Sequence, residues 1–159
     1  MEFTVTLAAL REVGACPSGY NKVVRALQEL PFTGEDEEAE RYFSHQPDGP
    51  ISLLSILESN GLNDALWALC CAPNCDRDAR LFAVWCARQV QHLMKDSRVL
   101  NALDVAERFA NGQVTAADRA ASRSAAWGTA WDAACTTACA AQKEVFIAMC
   151  EVRAPWQLK

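Results

Sequence analysis

Between Asp78 and Met94 the apolar positions Ala79, Phe82, Ala83, Cys86, Val90, Leu93 and Met94 recur at the spacing of one face of a 3.6-residue helix. Leu81, Val84 and Trp85 widen that stripe, which predicts a central helix covered by neighbours on more than one side. Shorter amphipathic stretches surround it. Thr6 caps a helix through Val13 that Gly14 ends, and Ser18 caps one through Gln28 that buries Tyr20, Val23, Val24 and Leu27. Leu30-Pro31 closes that pair. Ser52 caps a helix through Glu58, stopped at Gly61, and Asn63 caps another that carries Leu66, Trp67, Leu69 and Cys70. Asn74 or Asp76 opens the central helix. Asp96-Ser97 opens the next, with Leu100, Leu103, Ala106 and Phe109 inward and Gly112 past its end.

Thr115 with Asp118 starts a last stretch that meets no proline before Cys150 and only Gly128 as an interruption. A helix of that length would run roughly 50 Å, so a kink near Gly128 is expected. Within it Ala126-Trp127, Ala130-Trp131, Ala134-Cys135 and Ala138-Cys139 repeat every four residues on nearly one face. Such a seam reads either as close core packing or as a partner or homodimer face on which Trp127 and Trp131 supply the area. The pattern as a whole predicts a single all-α domain over 1–159. About seven helices stack in antiparallel hairpins, a long Ala-rich C-terminal helix lies across them, and the breaker His45-Gln46-Pro47-Asp48-Gly49-Pro50 offers a hinge at 45–50.

Charge changes the picture at one place. Formal net charge is −5, and Glu35, Asp36, Glu37, Glu38 and Glu40 account for all of it, since the other fifteen acidic residues match the fifteen Lys and Arg. Thr33 with Asp36 resembles a capping box, so Gly34 to Phe43 reads as a helix with its acidic face in water and Tyr42 and Phe43 as anchors, the opposing reading being a solvated loop. A neutral body with one acidic segment argues against direct nucleic-acid binding, which needs clustered Lys and Arg. It fits docking on a basic protein surface. Glu35, Asp36, Glu37, Glu38 and Glu40, with Trp127 and Trp131, are therefore the candidate partner-binding residues.

Candidate chemistry is thin. Eight cysteines in a chain that opens Met1-Glu2 without a basic, then apolar, leader are expected to be reduced thiols in a cytoplasmic protein. Charged residues such as Asp132, Lys143 and Glu144 interrupt even the apolar C-terminal third, so no membrane span is expected. Cys70, Cys71 and Cys75, with Cys86 or His92, supply one C-x₃-C block for zinc but no second block. His45 and His92 lack an orienting third group beside a cysteine, and the seven glycines form no phosphate loop. Asp76, Arg77, Asp78 and Arg80 read as salt-bridged capping of the central helix. No enzyme activity, metal or other cofactor is expected.

Arg80-Leu81-Phe82-Ala83 with Cys86-Ala87-Arg88, followed by Ala102-Leu103-Asp104-Val105-Ala106-Glu107-Arg108-Phe109-Ala110-Asn111-Gly112, resembles a family of uncharacterised bacterial and phage proteins. Those share R-L-F-A-x-x-C-A-R and A-x-x-V-A-E-R-x-A-x-G runs before an Ala/Trp-rich helical tail. The resemblance covers residues 76 to 140, leaves out the acidic segment at 33 to 44 and brings no catalytic residue with it. The same arrangement is similar to predicted immunity proteins of bacterial toxin systems, helical proteins that neutralise a partner by binding it. What it implies is a phage- or mobile-element-encoded inhibitor of a bacterial defence complex, anti-CRISPR-like, acting by steric block on a bacterial protein. The alternatives are an immunity protein that neutralises a toxin, a Cys/His metal-binding module, and a self-assembling structural protein.

Overall fold

A computed structural model describes residues 3–46, 48–94, 96–117 and 139–158. The fold is all-α: the described residues form eight α-helices, two 3-10 turns and one two-residue ladder. They gather into two compact units, Met1–Pro73 and Asn74–Lys159.

In the first unit, β1 (Thr4–Val5) pairs antiparallel with β2 (Ile51–Ser52), Val5 opposite Ile51, and Leu53 N–H continues the ladder to Phe3 C=O at 3.0 Å. The 45–50 segment lies inside this unit, where Asp48 Oδ1 accepts from Leu7 N–H at 3.2 Å. Helix α1 (Leu7–Glu12) begins at Thr6, whose hydroxyl accepts from Ala9 N–H, and buries Leu7 and Leu10. Helix α2 (Pro17–Leu27) is capped two residues before Ser18, by Cys16, whose sulfur accepts from Gly19 N–H. Pro17 at the first helical position explains that earlier start, because its ring fixes φ at a helical value and it lacks the N–H that would go unpaired there.

Helix α3 (Gly34–Glu37) is a single turn. Helix α4 (Leu53–Asn60) is capped by the Ser52 hydroxyl and packs Leu53, Ile56 and Leu57 inward; α2 and α5 (Leu62–Ala68) pack against it. Gly61 sits between α4 and α5 at φ 94° and ψ 179°, a conformation open essentially to glycine alone. The chain therefore restarts a helix at Leu62, ahead of the Asn63 cap the sequence suggests.

In the second unit, α6 (Asp76–Gln89) is the expected central helix, but it ends at Gln89 and Gln91–Leu93 form a 3-10 turn. The buried face is therefore not the whole expected stripe. Leu81, Phe82, Val84, Ala87 and Val90 are buried, whereas Ala83 and Leu93 face solvent. Helix α7 (Ser97–Ala110) packs on α6 and is capped by the Asp96 carboxylate, which accepts from Arg98 N–H. Helix α8 (Cys139–Cys150) also packs on α6, its fully buried Phe146 edge-on to Phe82 with ring centroids 6.0 Å apart. After α8 the chain returns to α6, where Asp78 accepts from Trp156 Nε1 and Gln157 Nε2, both at 2.9 Å.

The Arg80–Arg88 and Ala102–Gly112 runs meet as the α6/α7 contact. Arg88 pairs with Asp104 and Glu107, Arg77 donates to Asn111 Oδ1 at 2.9 Å, and the Arg80 guanidinium lies 5.2 Å from the Phe109 ring centre. Arg80 also pairs with Asp76 at 3.7 Å, as the mixed-charge cluster predicts, while Asp78 turns to Trp156 instead. These runs thus serve helix packing. Most of the expected helix from Thr115 to Cys150, with Gly128 and the Trp127/Trp131 face, lies outside the described residues.

Candidate functional site

The acidic segment is built on α2. After Leu27 the chain reverses through Glu29 in the left-handed region, φ 57°, with Leu30 N–H returning to Arg25 C=O at 2.9 Å. Thr33 then caps α3: its hydroxyl accepts from Asp36 N–H at 3.3 Å, and the Asp36 carboxylate accepts from Thr33 N–H at 3.0 Å. This is the capping box read from the sequence.

The same Asp36 carboxylate faces back onto α2. Arg25 Nη2 donates to Oδ1 at 2.6 Å and Nε to Oδ2 at 3.1 Å, a two-toothed pairing that matches the guanidinium fork to the carboxylate plane. Only 7% of the Asp36 side chain is exposed. Hydrogen bonding from Arg25 first, then from the Thr33 amide, holds its carboxyl at about 2 against the penalty of burial. Arg25 is itself stacked over the Phe43 ring, 4.6 Å from its centre.

Beyond Glu37 the chain leaves the helix, where the sequence predicts helix to Phe43. Two causes act together. Extending α3 would place Glu37, Glu38 and Glu40 towards the negative end of the helix dipole. Asn21, fully buried on α2, also takes the extended backbone for itself. Its Nδ2 donates to Arg41 C=O at 2.9 Å and its Oδ1 accepts from Phe43 N–H at 2.8 Å. Tyr42 adds a third fastening: its hydroxyl donates to Ala15 C=O at 2.7 Å, its ring meets Tyr20 edge-on, and Arg11 stacks 5.0 Å above it.

The result is a short acidic projection held at Asp36, Asn21 and Tyr42. Glu35, Glu37, Glu38 and Glu40 point to solvent, while Asp36 belongs to the anchor. An open cavity of about 480 Å³ lies at its foot, lined by Arg25, Gln28, Glu35, Arg41 and Phe43 among others. Its walls carry both charge signs, and Arg25 is already engaged by Asp36, so it offers no concentrated field for a small ion.

The candidate chemistry groups fall in both units. Cys70 and Cys71 belong to the first unit, and Cys75, Cys86 and His92 to the second. Among the described residues no group of three or more His, Cys, Asp or Glu converges on a metal position. His45 is half-buried in the loop after Phe43, and His92 is exposed on its 3-10 turn. Burial, then the charge of Glu151, pushes the Cys150 thiol up to about 12, which keeps it protonated and poorly nucleophilic at neutral pH. Among the described residues no helix is long and apolar enough to cross a membrane.

Asn21 and Arg25 were not readable as site residues. An asparagine between Tyr20 and Val23 on an apolar stripe is the one local signal, since a polar side chain there must find partners. Trp127 and Trp131 lie outside the described residues. Comparison with protein-family models, curated proteins and solved structures finds no match to this chain.

Proposed function

We propose that this chain is a non-enzymatic binding protein, carried by a phage or other mobile element, that inhibits a bacterial defence complex by docking on it. The observation that supports this reading is the anchored acidic projection, four solvent-facing glutamates on a backbone fastened at Asp36, Asn21 and Tyr42. A fixed cluster of one sign on an otherwise balanced body focuses negative potential and steers encounter with a basic groove, such as the nucleic-acid channel of a nuclease complex. Prior fastening also lowers the ordering cost of binding. Block is steric, because bound protein covers the groove. The resemblance of residues 76 to 140 to phage and bacterial helical proteins supplies the biological setting.

The test expresses the chain in bacteria that carry individual nuclease-based defence systems and counts phage plaques. Plating should recover in at least one strain, and changing Glu35, Glu37, Glu38 and Glu40 together to Gln should abolish the recovery. Asp36 is left intact because the projection depends on it. With the purified target, the quadruple variant should associate more slowly at low salt and lose its salt dependence. Equal association at low salt would place the interface elsewhere, with Trp127 and Trp131 the next positions to change. Protection against a toxin in place of a defence system would favour the immunity reading.

A further inference from the structure

The 3-10 turn Leu69–Cys71 that follows α5 sets two thiols side by side. Successive side chains in such a turn fan out by about 120°. Yet the Cys70 and Cys71 sulfurs lie 3.6 Å apart, with Cys70 exposed and Cys71 half-exposed. Each sulfur is turned towards its neighbour at a position open to solvent.

Three uses of such a pair can be compared. A disulfide between adjacent residues is poorly accommodated, because Cα atoms about 3.8 Å apart across a trans peptide fall short of the usual range of about 4.4–6.8 Å. A structural zinc ion takes four protein ligands, and among the described residues no group of three or more His, Cys, Asp or Glu could hold a metal ion. What two adjacent thiols satisfy unaided is a soft electrophile that brings its own remaining substituent. A trivalent arsenical with one organic group is of that kind: it is pyramidal, with one carbon and two exchangeable oxygens, and asks the protein for two sulfurs on one side.

We propose that Cys70 and Cys71 form a dithiol site for monosubstituted trivalent arsenicals. Each sulfur displaces one hydroxide from R–As(OH)₂. Two As–O bonds break, two As–S bonds form, and the two thiol protons leave with the hydroxides as two waters. Arsenic stays trivalent and nothing is oxidised. The turn is already folded and the sulfurs already adjacent, so chelation orders little more of the chain.

The test uses the full-length reduced protein and phenylarsine oxide, which hydrates to such a species, at one equivalent per chain. Iodoacetamide then labels accessible thiols, and mass spectrometry reads each cysteine separately. Cys70 and Cys71 should lose most of their labelling together, regain it with 2,3-dimercaptopropanol and fail to regain it with the same concentration of 2-mercaptoethanol. In Cys70→Ser, checked for unchanged helicity by circular dichroism, Cys71 should lose its protection. Unprotected Cys70 and Cys71, protection confined to other cysteines, or retained protection of Cys71 in the variant would each overturn the proposal. So would a stoichiometric zinc ion in the purified protein that is released by Cys70→Ser.

Discussion

Replacing Asn21 with Ala removes the clamp that holds the chain after the acidic turn. The side chain is fully buried and makes two backbone bonds, to Arg41 C=O at 2.9 Å and from Phe43 N–H at 2.8 Å. Each such bond contributes about 1 kcal/mol net, and a buried donor left without a partner costs about 1–3 kcal/mol. Arg41 is exposed, so water can replace the lost donor there, whereas Phe43 is half-buried and its N–H is harder to reach. The expected loss is therefore about 2–3 kcal/mol. Urea unfolding should show a lower midpoint with little change in slope. Amide exchange should localise the effect, with Phe43 exchanging about 30- to 150-fold faster, since about 1.4 kcal/mol corresponds to tenfold. Thr33 and Asp36 amides should keep their protection, because the capping box and the Arg25 pair are untouched. A stability change below about 0.5 kcal/mol with unaltered Phe43 exchange would refute the clamp, because a change that small is what a surface substitution away from any buried hydrogen bond produces.

Three further outcomes are expected. Asp36 has its folded carboxyl pKa lowered to about 2, so its contribution is complete above the ordinary aspartate range near 4 and is lost as pH falls through about 2; unfolding titrations of Asp36→Asn should be flatter than wild type across that window. Phe146→Ala empties a fully buried position against Phe82 and should cost about 3–5 kcal/mol, read by urea unfolding of the full chain. Gly61→Ala places a Cβ on a backbone at φ 94°, ψ 179° and should cost about 1–3 kcal/mol by thermal or urea unfolding, even though the space around that Cβ is open.

The parts of the fold legible in the sequence are those specified locally. The hydroxyls of Thr6 and Ser52 cap helices where the pattern places them, and the Thr33/Asp36 box forms as its spacing predicts. The two-residue ladder at Val5 and Ile51 is too short to leave an alternating pattern. The end of α6 at Gln89 is hidden because apolar residues continue in helical register through a stretch that has turned to 3-10 geometry. In the candidate site, the glutamates are visible as charge, but the Arg25–Asp36 pair spans eleven residues and depends on the reversal at Glu29. A charge count treats Asp36 as equivalent to its neighbours. Pairing and burial distinguish it, and neither is a property of the residue alone.

That distinction separates two kinds of perturbation at the acidic projection. Asp36 and Arg25 cancel each other in charge, so the outward field comes from Glu35, Glu37, Glu38 and Glu40. Glutamine at those four positions removes long-range attraction while leaving the backbone fastenings in place, and long-range attraction acts chiefly on the rate of encounter. Alanine at Asn21 keeps all four charges but frees the backbone that carries Glu40 and Arg41, so binding must then restore an order the native chain already has. A partner that reads only charge would tolerate the second change and respond to the first. A partner that reads the projection's shape would respond to both, the first in association and the second also in dissociation, because ordering a loosened segment weakens the complex after it has formed.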